Sequence, residues 1–194
     1  MRNTFICDKG NCLIVADYQA LEMRLLAAAS EEEKMCDVFR QGRDIHMGNA
    51  SLIFNVPYED IVYAKKLDGA VKAGKASPEE LTEHYRYCLT IRQRAKTLGF
   101  GLNYGMKAKK LARGMGCSEQ EAEQTMEMYM DTYPAVRQFF QEAVGDVRET
   151  GFAYTILGRR RRLSDIWSNG DLDRWRAERQ ASNLPIQGSA ADVC

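Results

Sequence analysis

Arg92, Lys96, Phe100 and Tyr104 recur every four residues, a spacing that puts side chains on one side of a helix. Each step of four turns the side chain by only about 40°, so Ile91 to Gly105 reads as one long helix carrying two cations and two aromatics in line. Gly99 and Gly101 fall in its interior. From Arg92 to Tyr104 the rise is about 18 Å, roughly the length of a nucleoside triphosphate with its paired base. Cations at one end suit phosphates, and aromatics farther along suit sugar and base faces. An amphipathic helix with snorkelling cations has the same spacing, and the stripe alone does not separate the two.

Around this helix the chain is mostly helical. Helices are expected from about Ala20 to Ser30 and from Ile45 to Phe54, the latter closed by Val56-Pro57. Ser77-Pro78-Glu79-Glu80 predicts a helix start, with Ser as N-cap and Pro at the first position. Ser118-Glu119-Gln120-Glu121 is a capping box. The helix it opens ends near Thr132-Tyr133-Pro134, and the next runs to Thr150 with Gly151 as its stop. A last helix is expected over roughly Leu172 to Ser182, interrupted by Pro185. Strand signals are few. Thr4 to Cys7 and Cys12 to Asp17 flank the turn-rich Asp8-Lys9-Gly10-Asn11 as a β-hairpin, and Phe152 to Leu157 alternates like a strand. Asp68 to Ser77 is the one loop-like stretch. The fold class expected is α+β, mainly helical.

Charge is balanced, with 27 basic and 27 acidic residues in 194, so net charge does not announce a nucleic-acid partner. Its distribution says more. Arg92, Arg94, Lys96, Lys107, Lys109, Lys110 and Arg113 fall in a stretch free of Asp and Glu, and Arg159 to Arg162 form a second cluster. The six cysteines are scattered without a Cys-x-x-Cys pair, and with two histidines a zinc site has no supporting spacing. Free thiols are expected. No apolar run approaches the roughly 20 residues that cross a bilayer, and Met1 to Asp8 is too polar and short for a signal peptide. A soluble, cytoplasmic chain without a membrane partner is the expectation.

Three further constellations carry chemistry. Asp17 ends the apolar run Leu13-Ile14-Val15-Ala16, where a carboxylate at a sheet edge can reach a cleft and hold a hard cation such as magnesium; from position alone, capping of the next helix is the commoner role. Glu22 and Arg24 are too close in sequence to share a helix face, so each should find its own partner. Arg179 and Asn183 face the same way, with Gln187 beyond Pro185. Amides beside a cation suit a minor-groove edge, though solvated surface residues have the same look.

In company, these segments resemble one family, the DNA polymerase I-like family A DNA polymerases. Asp17-Tyr18-Gln19-Ala20-Leu21-Glu22-Met23-Arg24 resembles its motif A. Arg92-x3-Lys96-x3-Phe100-x3-Tyr104-Gly105 resembles motif B, the fingers helix. Asp44-Ile45-His46 and the run from Gly158-Arg159-Arg160 to Asn183-Leu184-Pro185-Ile186-Gln187-Gly188-Ser189-Ala190-Ala191-Asp192 match in order and approximate spacing. The resemblance implies a partial palm with an inserted helical fingers domain: residues 1–36 palm, 37–133 fingers, 134–194 palm again. It implies template-directed addition of deoxynucleotides to a primer 3′ end with release of pyrophosphate, by a two-metal mechanism using Mg2+. Asp17 and the Tyr18 carbonyl would hold metal. Arg92, Lys96 and His46 would grip the triphosphate, and Lys96 would offset charge as pyrophosphate departs. Phe100 would pack on the sugar, Tyr104 would occupy the template position until the fingers close, and Glu22 would block a ribose 2′-hydroxyl. Arg179, Asn183 and Gln187 would contact primer–template DNA, and Arg24 would be structural support. The implied partners are primer–template DNA and deoxynucleoside triphosphates, with no oligomer expected.

Departures matter too. Gln19-Ala20 stands where the family commonly has Ser-Gln, and Gly99 where Asn is usual, a variant more like a phage enzyme than a bacterial repair polymerase. The His-Asp pair of the family's motif C, with the second metal-binding carboxylate, occurs nowhere in the sequence. The 194 residues are therefore expected to be a fragment that does not extend DNA efficiently alone. Two other readings compete. A single-subunit RNA polymerase shares the palm and fingers plan, but Glu22 argues against it. A catalytically inactive helical module that binds nucleotide or duplex would use the basic clusters without Asp17.

Overall fold

The computed structural model describes residues 6–194. Its elements in chain order are α1 (Leu21–Ala29), α2 (Glu33–Arg40), α3 (Ile45–Phe54), α4 (Tyr58–Lys72), α5 (Glu83–Asn103), α6 (Ala108–Met115), α7 (Glu119–Thr132), α8 (Pro134–Thr150), the strands β1 (Phe152–Tyr154) and β2 (Arg160–Arg162), and α9 (Asp171–Val193). The strands pair antiparallel, Phe152 opposite Arg162 and Tyr154 opposite Arg160.

Local chemistry sets most of these ends. Ser118 and Glu121 close the capping box at the start of α7. Asp44 caps α3, its side chain accepting from the His46 and Met47 amides. Gly151 ends α8 at φ 77, and a Cβ there would lie 2.6 Å from the Trp167 ring, so both backbone and packing require glycine.

Three apolar clusters hold the helices together. Met23 and Leu26 of α1 meet Leu98 and Leu102 of α5, Leu111 of α6 and Tyr129 of α7. Ala50, Ile61, Ala64 and Ile91 join α3 and α4 to the first half of α5. Val147, Ala153, Leu163, Ala177 and Ala181 seat the small sheet between α8 and α9. Helix α5 contributes to the first two clusters, and so fixes how its Arg92–Tyr104 side meets α1 and α3.

The structure departs from expectation at four places. Residues 11–18 form no strand, although Thr4 and Phe5 of the expected hairpin lie outside the described residues. Ile14 and Val15 are 89% and 83% exposed. A strand needs a neighbour for its amides and carbonyls, and among the described residues the one sheet contains only β1 and β2. Asp17 therefore ends an exposed segment without regular secondary structure rather than a buried strand. Ser77 does cap, but only a single turn of 3-10 helix, Pro78–Glu80; α5 starts afresh at Glu83 behind the Thr82 cap. The expected loop from Asp68 is helical to Lys72, where Lys65 and Lys72 pair with Asp68. Pro185 does not interrupt α9. It removes the N–H that the Ala181 carbonyl would have taken, yet Ala177 and Ala181 are packed before it and Ile186 after it, which holds the helix on course.

The two interior glycines of α5 differ in what surrounds them. A Cβ on Gly99 would make ordinary contact with Met23 Cε at 3.4 Å, whereas one on Gly101 would sit 2.2 Å from Leu111 Cδ2. Leu111 is fully buried and has little room to yield. Gly99→Ala should therefore stabilise the chain by up to about 1 kcal/mol, and Gly101→Ala should destabilise it by about 1–3 kcal/mol. Thermal unfolding of the two variants checks this, and shifts of the same sign would contradict it.

Candidate active site

Two adjoining pockets lie between α1 and α5, one walled by α9 and the other by α3, and both touch Ala20 and Phe100. The first, about 390 Å³, is lined by Asp17, Tyr18, Glu22, Met23 and Tyr104. The second, about 180 Å³, is lined by Arg24, Arg43, Asp44, His46 and Lys96. Ala20 divides them in a left-handed conformation (φ 53), which costs a non-glycine residue about 1 kcal/mol or more. That turn sends the chain from the exposed Asp17 segment into α1.

In the first pocket the Tyr104 hydroxyl donates to Glu22 Oε1 at 3.3 Å, joining α1 to the end of α5. Arg24 goes its own way, as expected: its Nε donates to the Gln19 carbonyl at 3.0 Å, and its guanidinium lies over Phe39. In the second pocket the His46 ring stacks at a tilt against Phe100, centroids 5.4 Å apart. Burial holds the His46 pKa below its ordinary value; Asp44 opposes this, while Arg92 and Lys96 add to it. His46 is thus mainly neutral at pH 7, with an N–H to donate rather than a charge.

Asp44 organises this corner. One carboxylate oxygen accepts the His46 and Met47 amides, and the other accepts from Arg92 at 3.2 Å. Burial opposes its ionisation, but the Met47 N–H and the Arg92 charge outweigh burial and keep its pKa low. The sequence places Asp44 beside His46 but not its bond to Arg92, 48 residues away; that needs the packing of α3 on α5.

Arg179 reaches the site from α9. Gly105, at φ 59, ends α5, and a Cβ there would lie 2.5 Å from Arg179 Cγ, so Arg179 packs directly on the turn after Tyr104. Asn183 follows one turn on, and Gln187 is half-buried beyond Pro185. His46 Nδ1, Arg92 Nε, Arg179 Nε and Asn183 Oδ1 are all buried without a hydrogen-bond partner. A fold rarely leaves such atoms unsatisfied for packing alone, so a ligand or water is the usual partner.

Asp17 and Tyr18 are exposed. Among the described residues, no group of three or more His, Cys, Asp or Glu is placed to hold a metal ion. The Asp17 carboxylate and Tyr18 carbonyl nonetheless suit part of a magnesium shell, which is built of hard oxygen donors and usually shares positions with water and substrate phosphates.

The sequence profile of DNA polymerase family A matches residues 1–68 and 70–194. The chain belongs to this family. It is 34% identical over 193 residues to the thermostable DNA polymerase I of Thermus aquaticus, covering all of this chain and 20% of that protein. It is 36% identical over 181 residues to DNA polymerase I of Mycobacterium leprae, covering 93% of this chain and 17% of that protein. The chain thus spans about a fifth of the length of the curated relatives it matches. Among solved structures it is similar to the POL domain of Pol1 from M. smegmatis in complex with DNA primer-template and dNTP. That similarity has a TM-score of 0.72 at 35% identity, over 91% of this chain and 27% of that one. The mainly helical fold expected from the sequence is what the structure shows. All six cysteines are free thiols. No helix among the described residues is long and apolar enough to cross a membrane.

Proposed function

We propose that this chain is the nucleotide-binding part of a DNA polymerase that adds deoxynucleotides to a primer 3′ end on a template. The observation that carries this is the convergence of the motif A residues with Lys96, Phe100 and Tyr104 of α5 on the paired pockets, tied by the bond from Tyr104 to Glu22. Residues 1–36 and 134–194 are read as palm, and 37–133 as fingers.

In this reading Asp17 and the Tyr18 carbonyl hold Mg2+, which when bound lowers the barrier by countering negative charge at the reacting oxygens. Lys96 meets the charge that develops on the departing pyrophosphate, Arg92 and neutral His46 orient the phosphates, and Phe100 carries the sugar. Glu22 stands where a ribose 2′-hydroxyl would enter. Tyr104, held by Glu22, occupies the template position and must leave as a pair forms. Arg179, Asn183 and Gln187 receive the primer–template, and their buried unpartnered atoms are two of the groups such a ligand would satisfy.

The test is primer extension by a chimera in which this chain replaces the matching stretch of the Thermus aquaticus relative. Metal-dependent extension supports the proposal. Duplex binding without extension favours a catalytically inactive binding module. Phe100 adds a narrower prediction. With no hydroxyl to stand in for a missing 3′-hydroxyl, the wild-type chimera should discriminate against dideoxynucleotides, and Phe100→Tyr should relax this by about a hundredfold. Equal terminator use by both forms contradicts that role.

A further inference from the structure

The second pocket holds more positive charge than the assigned phosphate ligands account for, and this inference rests on reading it as the triphosphate end of the site. Arg92 is turned to Asp44 at 3.2 Å, with its side chain 17% exposed, and does not line the pocket. The arginines that do line it are Arg24 and Arg43.

Each of these guanidiniums is backed by an aromatic ring. Arg24 Cζ lies 4.5 Å from the centre of Phe39, and Arg43 Cζ lies 4.9 Å from that of Tyr58. Tyr58 is itself fixed, because its hydroxyl accepts the Asp44 amide at 3.0 Å. Neither arginine is in an ion pair with a described residue. The carboxylate in the same pocket, Asp44, is already committed to Arg92 and to two backbone amides. A guanidinium stacked on a ring keeps its planar fork with little rotamer freedom left to lose, and its in-plane N–H groups match phosphate oxygens.

We propose that Arg24 and Arg43 form an outer phosphate clamp, which with Lys96 binds a pyrophosphoryl group, as the terminal phosphates of a nucleotide or as free pyrophosphate. Arg24 is then a substrate ligand as well as a support for the turn at Gln19. The ring behind each arginine makes the clamp rigid before the ligand arrives, so affinity is not spent on ordering it.

The experiment is calorimetric titration of the 194-residue chain, without metal, with pyrophosphate, dATP and dAMP. Pyrophosphate should bind and compete with dATP, and dAMP should bind at least about tenfold more weakly than dATP. Arg24→Ala and Arg43→Ala should each weaken pyrophosphate by about tenfold in chains that stay folded, Arg24→Ala melting somewhat lower because it also loses its bond to the Gln19 carbonyl. Arg43→Lys should restore only part of the loss, since lysine keeps the charge without the fork. Arg43→Gln keeps a side chain against Tyr58 and should behave like the alanine variant, which separates lost charge from lost packing. Pyrophosphate binding without dATP binding would assign the clamp to the free ion. A wild-type chain that binds neither overturns both the clamp and the triphosphate reading of the pocket. A wild-type chain that binds them while Arg24→Ala and Arg43→Ala bind as well overturns the clamp alone, as does dAMP bound as tightly as dATP.

Discussion

Asp17→Ala, in the chimera carrying this chain, should reduce primer extension at least about a thousandfold while leaving duplex binding within a few-fold of wild type. The reason lies in how little else Asp17 does. It is exposed, it ends a segment that packs in none of the three cores, and no described residue pairs with it in a salt bridge. Its loss should not unfold the chain, and truncating a surface side chain usually costs within about 0.5 kcal/mol. A large loss of extension with an unchanged melting temperature would therefore report chemistry rather than stability. If Asp17→Ala extends primers at a near wild-type rate, Asp17 is not a metal ligand and the assigned chemistry fails at its first step.

Glu22→Ala should raise incorporation of ribonucleotides relative to deoxynucleotides at least about a hundredfold. Glu22 lines the pocket with Asp17 and Phe100, and its carboxylate accepts the Tyr104 hydroxyl. Alanine removes both the group that meets an entering 2′-hydroxyl and the restraint on Tyr104. A hydroxyl that finds a half-buried carboxylate in its way is rejected by crowding and by partial desolvation, and a small apolar residue imposes neither. Deoxynucleotide KM should rise as well, because Tyr104 loses its anchor. Single-turnover incorporation of matched dNTP and rNTP pairs checks this. An unchanged sugar preference would show that Glu22 only tethers Tyr104.

Much of the helical fold was legible because its signals are local. The Ser118 capping box, the Pro134 start and the Gly151 stop act within one turn of the chain, and α7 and α8 begin and end where those residues put them. The side of α5 was legible for the same reason, since spacing by four fixes a face whatever lies against it. What the sequence missed depends on distant partners. Leu13 to Ala16 has strand-like residues but no neighbouring strand among the described residues. Pro185 carries a helix-breaking signal that core packing on either side overrides. At the site, the pairing of Arg92 with Asp44 had no local signal, and Arg43 had none beyond its charge. That Arg43 stands on Tyr58 follows only once α3 and α4 are packed.

The most direct measurement offers the chimera one dNTP at a time on four primer–templates that differ only in the first unpaired template base. Template-directed synthesis predicts that each template accepts its complementary dNTP, with one pyrophosphate released per addition. Addition of any dNTP regardless of template, or tight binding of all four duplexes with no addition at all, would contradict it.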